Sequence, residues 1–355
     1  MIGAMTAVDR SAPVLVTGAS GYLASWIVRY LLEDGRTVRG TVRDPDKPTG
    51  LEHLHKVADD HPGRLTLHRA DLLDKGSFDD AVAGCELVMH TASPFLVGKL
   101  HDPDEQVVRP ALDGSRNVLG SVDRADSVKR VVLTSSASAI YGNNADMEGK
   151  RCFTEDDWNT TSSLKDEPYA YAKTTAEREA WALSERQARW DLITIQPGLV
   201  VGPALTTASD SGSLNTMKPF GDFSLVAGAP PLTVGVVDVR DVARAHILAG
   251  DVAAAHGRYI VNGDHLSFLD IGRTLRRRFG RRYPFPYNEL PKVLLKLAAP
   301  AAGMTRGFVD RNFGLPLCLD SNRSRSELGL TYRPSEQTLV ENFQQMLDDG
   351  VVRRR

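Results

Sequence analysis

Tyr169 and Lys173 stand four residues apart in Tyr169-Ala170-Tyr171-Ala172-Lys173. On a helix that spacing puts both side chains on one face. A phenol titrates near pH ~10, too high for easy proton exchange at neutral pH. A neighbouring ammonium favours the phenolate and brings that pKa down. Such a tyrosine can give a proton to a carbonyl oxygen, or take one from an alcohol, while hydride moves to or from carbon. The same spacing also occurs as a plain surface pair, so a third group has to be found. Leu133-Thr134-Ser135-Ser136-Ala137 supplies hydroxyls just past an apolar run. Ser136 is the expected donor to the substrate oxygen, with Ser135 as the neighbouring alternative. Tyr171 does not have a Lys four residues on.

Hydride transfer needs a donor, and a nicotinamide dinucleotide is one. Gly18-Ala19-Ser20-Gly21-Tyr22-Leu23-Ala24 directly follows an apolar run ending in Thr17. This G-x-x-G-x-x-A pattern places glycines for a sharp turn and for close approach of a pyrophosphate to a helix N-terminus. Thr17, Gly18, Ser20, Gly21, Tyr22 and Leu23 are therefore expected cofactor contacts. An NAD site usually has Asp or Glu at the end of the second strand. Here Thr41-Val42-Arg43-Asp44 puts Arg43 at that point, with Lys47 four residues on. Two cations suit a 2′-phosphate, and a guanidinium can stack on adenine. NADP is the expected cofactor. Asp44 falls one residue too late for the ribose and is expected to face solvent. Further expected contacts are Asp71 and Leu72 after the third strand, and Thr91, Ala92 and Ser93 after the fourth. Thr134, Tyr169 and Lys173 complete the nicotinamide side.

These groups need one scaffold. Apolar runs at Pro13 to Thr17, Thr37 to Val42, Leu65 to Arg69, Glu86 to Thr91, Arg130 to Thr134 and Asp191 to Gln196 read as strands. Helical spacing separates them: Gly21 to Leu32, a short helix capped by Ser77, a long one opened by Asp102-Pro103 that bends at Pro110 or starts late there, and Pro168 to Ala188. The alternation implies an α/β fold, a doubly wound parallel sheet of Rossmann type whose strand ends share one crevice. Beyond Pro197 the pattern weakens. Val234 to Val239 and Arg258 to Val261 look like returning strands, with helices at Asp241 to Ala249, Phe268 to Phe279 and Ser335 to Leu347. The expected division is residues 13–199 with 234–263 for the dinucleotide, and 200–233 with 264–355 as a smaller, discontinuous substrate lobe. Residues 1–12 are expected to be a flexible N-terminus.

The 355 residues are 42% apolar and 25% charged, with net charge -2. That excludes a nucleic-acid footprint, which needs a concentrated basic face. The runs Arg276 to Arg278 and Arg353 to Arg355 read as solvated surface. No stretch reaches the roughly 20 apolar residues of a membrane span. Val293 to Ala302 is a short apolar stretch that reads as a pocket wall, or less readily as a membrane-resting helix. Cys85, Cys152 and Cys318 are odd in number and far apart, so no disulfide framework is expected and a reducing cytoplasm fits. The scattered histidines predict no metal site, and His90, in an apolar strand, reads as a satisfied core residue.

Several pieces narrow the reading. Val14-Leu15-Val16-Thr17-Gly18, His90-Thr91-Ala92-Ser93-Pro94-Phe95, Tyr169 to Trp181, Pro197-Gly198-Leu199-Val200-Val201-Gly202-Pro203 and Val237 to Ala243 resemble the extended short-chain dehydrogenase/reductase superfamily. Within it they are similar to the dihydroflavonol, cinnamoyl-CoA and carbonyl reductase branch. The resemblance implies NADPH and a catalytic set at Ser136, Tyr169 and Lys173. It also implies nicotinamide-side contacts at Pro197, Gly198 and Val200. Tyr141 stands where dihydroflavonol reductases have Asn, and Glu167 to Lys173 departs from the cinnamoyl-CoA signature. The expectation is therefore an aldehyde, ketone or diketone, with Phe95, Tyr141, Ser136 and Tyr169 at the substrate. A nucleotide-sugar epimerase or dehydratase, a hydroxysteroid enzyme and a non-catalytic NADP sensor are the alternatives. The chain is expected to act as a monomer or homodimer on a small molecule.

Overall fold

β-branched and leucine-rich runs build the sheet, and each alternates with a helix. In chain order these are β1 (Val14–Val16), α1 (Tyr22–Glu33), β2 (Val38–Val42), α2 (Glu52–Asp59), β3 (Leu65–Arg69), α3 (Asp79–Val82), β4 (Leu87–His90), α4 (Arg109–Arg124), β5 (Arg130–Thr134), α5 (Pro168–Ser184) and β6 (Asp191–Pro197). The computed structural model describes residues 6–47, 49–93, 102–206 and 212–353, without the side chains of 212–214. The second half adds β7 (Leu199–Val201), α6 (Gly212–Met217), β8 (Thr233–Asp238), α7 (Val239–Asp251), β9 (Gly257–Val261), β10 (Asp264–Ser267), α8 (Phe268–Phe279), α9 (Lys292–Ala298), α10 (Arg306–Asn312), α11 (Asn322–Ser326) and α12 (Ser335–Asp348).

Seven strands pair in parallel in the order β3-β2-β1-β4-β5-β6-β9. The order reverses between β1 and β4, so a crevice opens beyond their C-terminal ends. Successive residues face opposite sides of the sheet. Val14 and Val16 pack with Ile27 and Leu31 of α1 and Val242 of α7. Leu15 packs on the other side with Leu119 of α4 and Ala180 of α5. Burial on both faces explains why the strands read as continuous apolar runs.

The Val234 to Val239 run does not return to this sheet. As β8 it pairs in parallel with β7 and antiparallel with β10, in a separate three-stranded sheet. Apolar composition alone does not say which sheet a short strand joins. Behind it lies a second core, with Met217, Phe220, Ile271, Leu275, Phe285, Leu339 and Phe343.

Other expectations shift locally. Ser77 caps no helix: its hydroxyl donates to Asp71 O at 2.8 Å and accepts from Asp71 N–H, bracing the turn after β3. Asp102 does act as a cap, accepting from the amides of Asp104 and Glu105. The chain then makes a π-helical turn, Asp104–Val108, before α4. Pro110 has no N–H to continue an α ladder, and a wider turn ahead of it accommodates that loss.

The expectation of no disulfide is overturned. Cys152 and Cys318 are bonded, 166 residues apart in sequence. Phe153 and Leu319 pair as an isolated parallel bridge, which lays the two cysteines side by side. Sequence separation concealed a contact that only the fold creates. Cys85 stays free and buried. The Val293 to Ala302 stretch forms α9 and a 3-10 turn, with Val293, Leu294 and Leu297 more than half exposed and Leu295 packed inward. Among the described residues, no helix is long and apolar enough to cross a membrane, and no three His, Cys, Asp or Glu side chains are grouped to hold a metal ion.

Candidate active site

The chain leaves β1 through a turn that only glycine fits. Gly18 has φ 64°, and a Cβ there would lie 3.1 Å from Ala92 Cβ. Glycine thus serves both the left-handed turn and the close approach of the β4 end. Thr17 ties the same two ends together. Its Oγ1 accepts from the amides of Thr91 (3.1 Å) and Ala92 (3.0 Å), and Thr91 Oγ1 donates to Thr17 O at 2.5 Å. α1 then starts with no side-chain cap, leaving its dipole to face the turn.

Around this turn lies a cleft of about 600 Å³. Gly18, Ser20, Gly21, Arg43, Asp71, Leu72, Thr91, Ala92 and Ser93, all expected cofactor contacts, line it. Tyr22 turns its hydroxyl away, to Gly202 O at 2.7 Å, so only its backbone faces this end. Leu23 and Val200 pack on the main core. Lys47 is exposed on the turn after β2. Asp44 faces solvent, and there Arg69 holds it at 2.7 Å. Thr134 Oγ1 is bound to His246 Nε2 at 2.7 Å. Pro197 ends β6, and Gly198 follows where a Cβ would lie 2.6 Å from Asn262 Oδ1 and 2.7 Å from Gly235 O. Phe95 falls outside the described residues.

α5 carries the catalytic candidates. Pro168 occupies its first turn, and Glu167 before it adopts the left-handed φ of 56°, which swings the chain sharply into the helix. Tyr169 is 41% exposed at the crevice. Ser136, at the end of β5, hydrogen-bonds the Tyr169 hydroxyl. Of the two serines, Ser135 points inward and donates to Glu177, so Ser136 is the one that meets Tyr169. Lys173 Nζ lies 5.9 Å from the Tyr169 ring centre and donates to Ser93 Oγ at 3.1 Å.

The electrostatics differ from the expectation that Lys173 lowers the phenol. Dehydration of the hydroxyl end raises the Tyr169 pKa, and the lowering influence is the Ser136 hydrogen bond. The lysine itself is the more perturbed group. Burial pushes it down to about 8, opposed by the negative charge of Glu177. His90 is only half satisfied. Thr17 Oγ1 already accepts two amides, so its proton goes to His90 Nδ1 at 3.0 Å. That leaves the imidazole proton on Nε2, which has no partner. Burial, then the charge of Lys173, push His90 down to about 3, keeping it neutral.

Glu177 was not visible as a site residue in the sequence. It stands one turn beyond Lys173 on the same face and is 1% exposed. Besides Ser135 it accepts from Arg258 Nε (2.7 Å), Gln196 Nε2 (2.8 Å) and Thr194 Oγ1 (3.1 Å). One carboxylate thereby ties the helix of Tyr169 and Lys173 to β5, β6 and β9. Its i, i+4, i+8 register with Tyr169 and Lys173 was the available signal. Tyr141, expected at the substrate, stacks on Phe153 with ring centres 5.0 Å apart.

The sequence profile of the NAD dependent epimerase/dehydratase family matches residues 14–265. The chain is 37% identical over 341 residues to cinnamoyl-CoA reductase CAD2 of Medicago truncatula, covering 94% of this chain and 95% of that protein. It is 40% identical over 291 residues to tetraketide alpha-pyrone reductase 1 of Arabidopsis thaliana, covering 80% and 84%. Among solved structures it is similar to Gre2 of Candida albicans in complex with NADPH, at TM-score 0.77 and 26% identity, over 95% of this chain and 99% of that one. The profile match begins with β1 and ends inside β10, taking in the whole seven-stranded sheet and the helix of Tyr169 and Lys173, and the chain belongs to this family in its extended short-chain dehydrogenase/reductase form.

Proposed function

We propose that this NADPH-dependent oxidoreductase reduces an aldehyde, ketone or diketone to the alcohol, with Tyr169 as proton donor. The observation that carries the reading is the hydrogen bond between Ser136 and the half-exposed Tyr169 at the crevice, with Lys173 on the same helix face. The glycine cradle against Ala92 and the exposed Arg43 guanidinium fit a dinucleotide bearing a 2′-phosphate. In this reading the amides at the start of α1 hold the pyrophosphate, Arg43 and Lys47 hold the 2′-phosphate, and Lys173 holds the nicotinamide ribose.

Bound NADPH supplies the hydride. Ser136 holds the carbonyl oxygen and steadies the charge growing on it. Tyr169 delivers the proton to that oxygen, completing the alcohol, and its oxygen takes a proton back from solvent once the product has left the crevice. Ser93 fixes the Lys173 ammonium, whose pKa of about 8 keeps it charged at neutral pH. Residues 13–199 with 234–263 would hold the cofactor, and 200–233 with 264–355 would choose the substrate. A monomer or homodimer in the cytoplasm belongs to the same reading, although the Cys152–Cys318 bond weighs against a strongly reducing compartment.

The test follows NADPH absorbance against aldehydes, ketones, diketones and steroids, with Tyr169→Phe alongside. Turnover on carbonyl compounds that the variant lacks supports the reading. A protein that binds NADPH and turns over no panel member overturns it.

A further inference from the structure

β2 and β3 end side by side, with Val42 and Arg69 in register. Beyond Val42 the chain turns through Arg43, Asp44, Pro45, Asp46 and Lys47, two cations and two carboxylates within five residues. Left alone, that turn has no net charge. A carboxylate beside Arg43 repels a phosphate and offers two acceptors to a ribose diol, which is how an NAD site recognises its ligand. Arg69 alters this balance. Its Nη2 lies 2.7 Å from Asp44 Oδ1 and 3.2 Å from Asp46 Oδ2, and its Nη1 lies 3.4 Å from Arg43 O. One guanidinium therefore grips both carboxylates and the backbone of the residue expected at the 2′-phosphate. The next residues on β3's side, Ala70 to Leu73, line the same cleft as Arg43.

We propose that Arg69 is a cofactor-specificity residue. It sequesters Asp44 and Asp46, so that Arg43, which lines the cleft, and Lys47, four residues on, meet the ligand without a competing carboxylate from their own turn. The inference rests on the reading of Arg43 and Lys47 as the 2′-phosphate end. The three side chains are 59%, 47% and 87% exposed, so each ion pair is weak and the fold does not depend on it. What depends on it is the choice between NADPH and NADH. Loss of one such pair should change the ratio of the two affinities on the order of 1.5- to 5-fold.

Fluorescence titration with NADPH and with NADH tests this on the full chain and on Arg69→Ala, Arg69→Ala with Asp44→Asn, and Arg43→Ala. Arg69→Ala should lower the NADPH-to-NADH affinity ratio, and adding Asp44→Asn should restore most of it. An unchanged ratio in Arg69→Ala overturns the proposal. So does failure of Asp44→Asn to restore it, because Arg69 would then be touching the phosphate itself. Arg43→Ala separates the two layers of the argument. If it leaves NADPH affinity intact, the reading of the cleft end fails; if it weakens NADPH while Arg69→Ala does nothing, only the role of Arg69 fails.

Discussion

Glu177 and Arg258 meet inside the protein, Oε1 to Nε at 2.7 Å, with 1% and 8% of their side chains exposed. Arg258 also lies over the Trp158 ring at 3.8 Å and donates to the carbonyls of Glu155 and Ala139. Removing one member of a buried pair strands the other charge, which costs about 3–5 kcal/mol. Glu177→Ala should therefore destabilise the protein by about that much in denaturant titration, and Glu177→Gln by less. A variant within about 1 kcal/mol of the parent would mean that water reaches Arg258 and replaces the carboxylate.

Tyr169→Phe removes one oxygen from a half-exposed side chain and leaves the helix untouched. Turnover should fall about 10²- to 10⁴-fold, with NADPH affinity and thermal stability near those of the parent. Ser135→Ala should behave differently from Ser136→Ala. The first loosens the Glu177 network and lowers stability, whereas the second lowers kcat. If Ser135→Ala were the catalytically impaired variant, the assignment of the two hydroxyls would be reversed.

Lys173 gives a pH signature. Its folded pKa of about 8 lies below the ordinary lysine value of 10.5. Between those values the unfolded chain binds the extra proton, so this group makes the cofactor-free protein gain stability as pH rises through that window. Cofactor binding runs the other way. The ammonium is the better partner for the nicotinamide ribose, so NADPH affinity should weaken as pH climbs past about 8. Lys173→Met should bind more weakly and show no such limb, as read by fluorescence titration from neutral to alkaline pH.

Gly18→Ala should hurt the cofactor end twice over. The left-handed φ costs a side chain about 1–2 kcal/mol, and the new methyl meets Ala92 at 3.1 Å. NADPH affinity should drop on the order of 10-fold for each 1.4 kcal/mol that the turn must regain. An unchanged dissociation constant would show that the turn relaxes freely.

The disulfide is checked by alkylation. Denatured without reductant, the protein should expose one thiol, Cys85; with reductant it should expose three. Cys152→Ser should cost about 2–4 kcal/mol of stability. Three reactive thiols without reductant would remove the bond from consideration.

What the sequence made legible was local. The Gly18 turn, the Arg43 position and the Tyr169–Lys173 spacing each depend on residues close along the chain, so strand and helix periodicity were enough. What it hid was long-range. Glu177 reads as an ordinary helix acid until Arg258, 81 residues away, is folded against it. Arg69 meets Asp44 only because β2 and β3 stop in the same register. β8 has the composition of a main-sheet strand, and its partner depends on β7 running beside it. The pKa ordering of Tyr169 and Lys173 also needed the fold, because burial outweighs the charge pairing that spacing suggests.

The Cys152–Cys318 bond closes the polypeptide into a covalent ring. Tyr169, Lys173, Glu177 and Arg258 all lie on that ring, whereas the Gly18 turn lies on the tail that precedes it. A protease cut between the two cysteines would therefore release no fragment until the bond is reduced. A cut between Gly18 and Cys152 would separate the Gly18 turn from Tyr169 in covalent terms, leaving the seven-stranded sheet and the helices packed on it to keep them together.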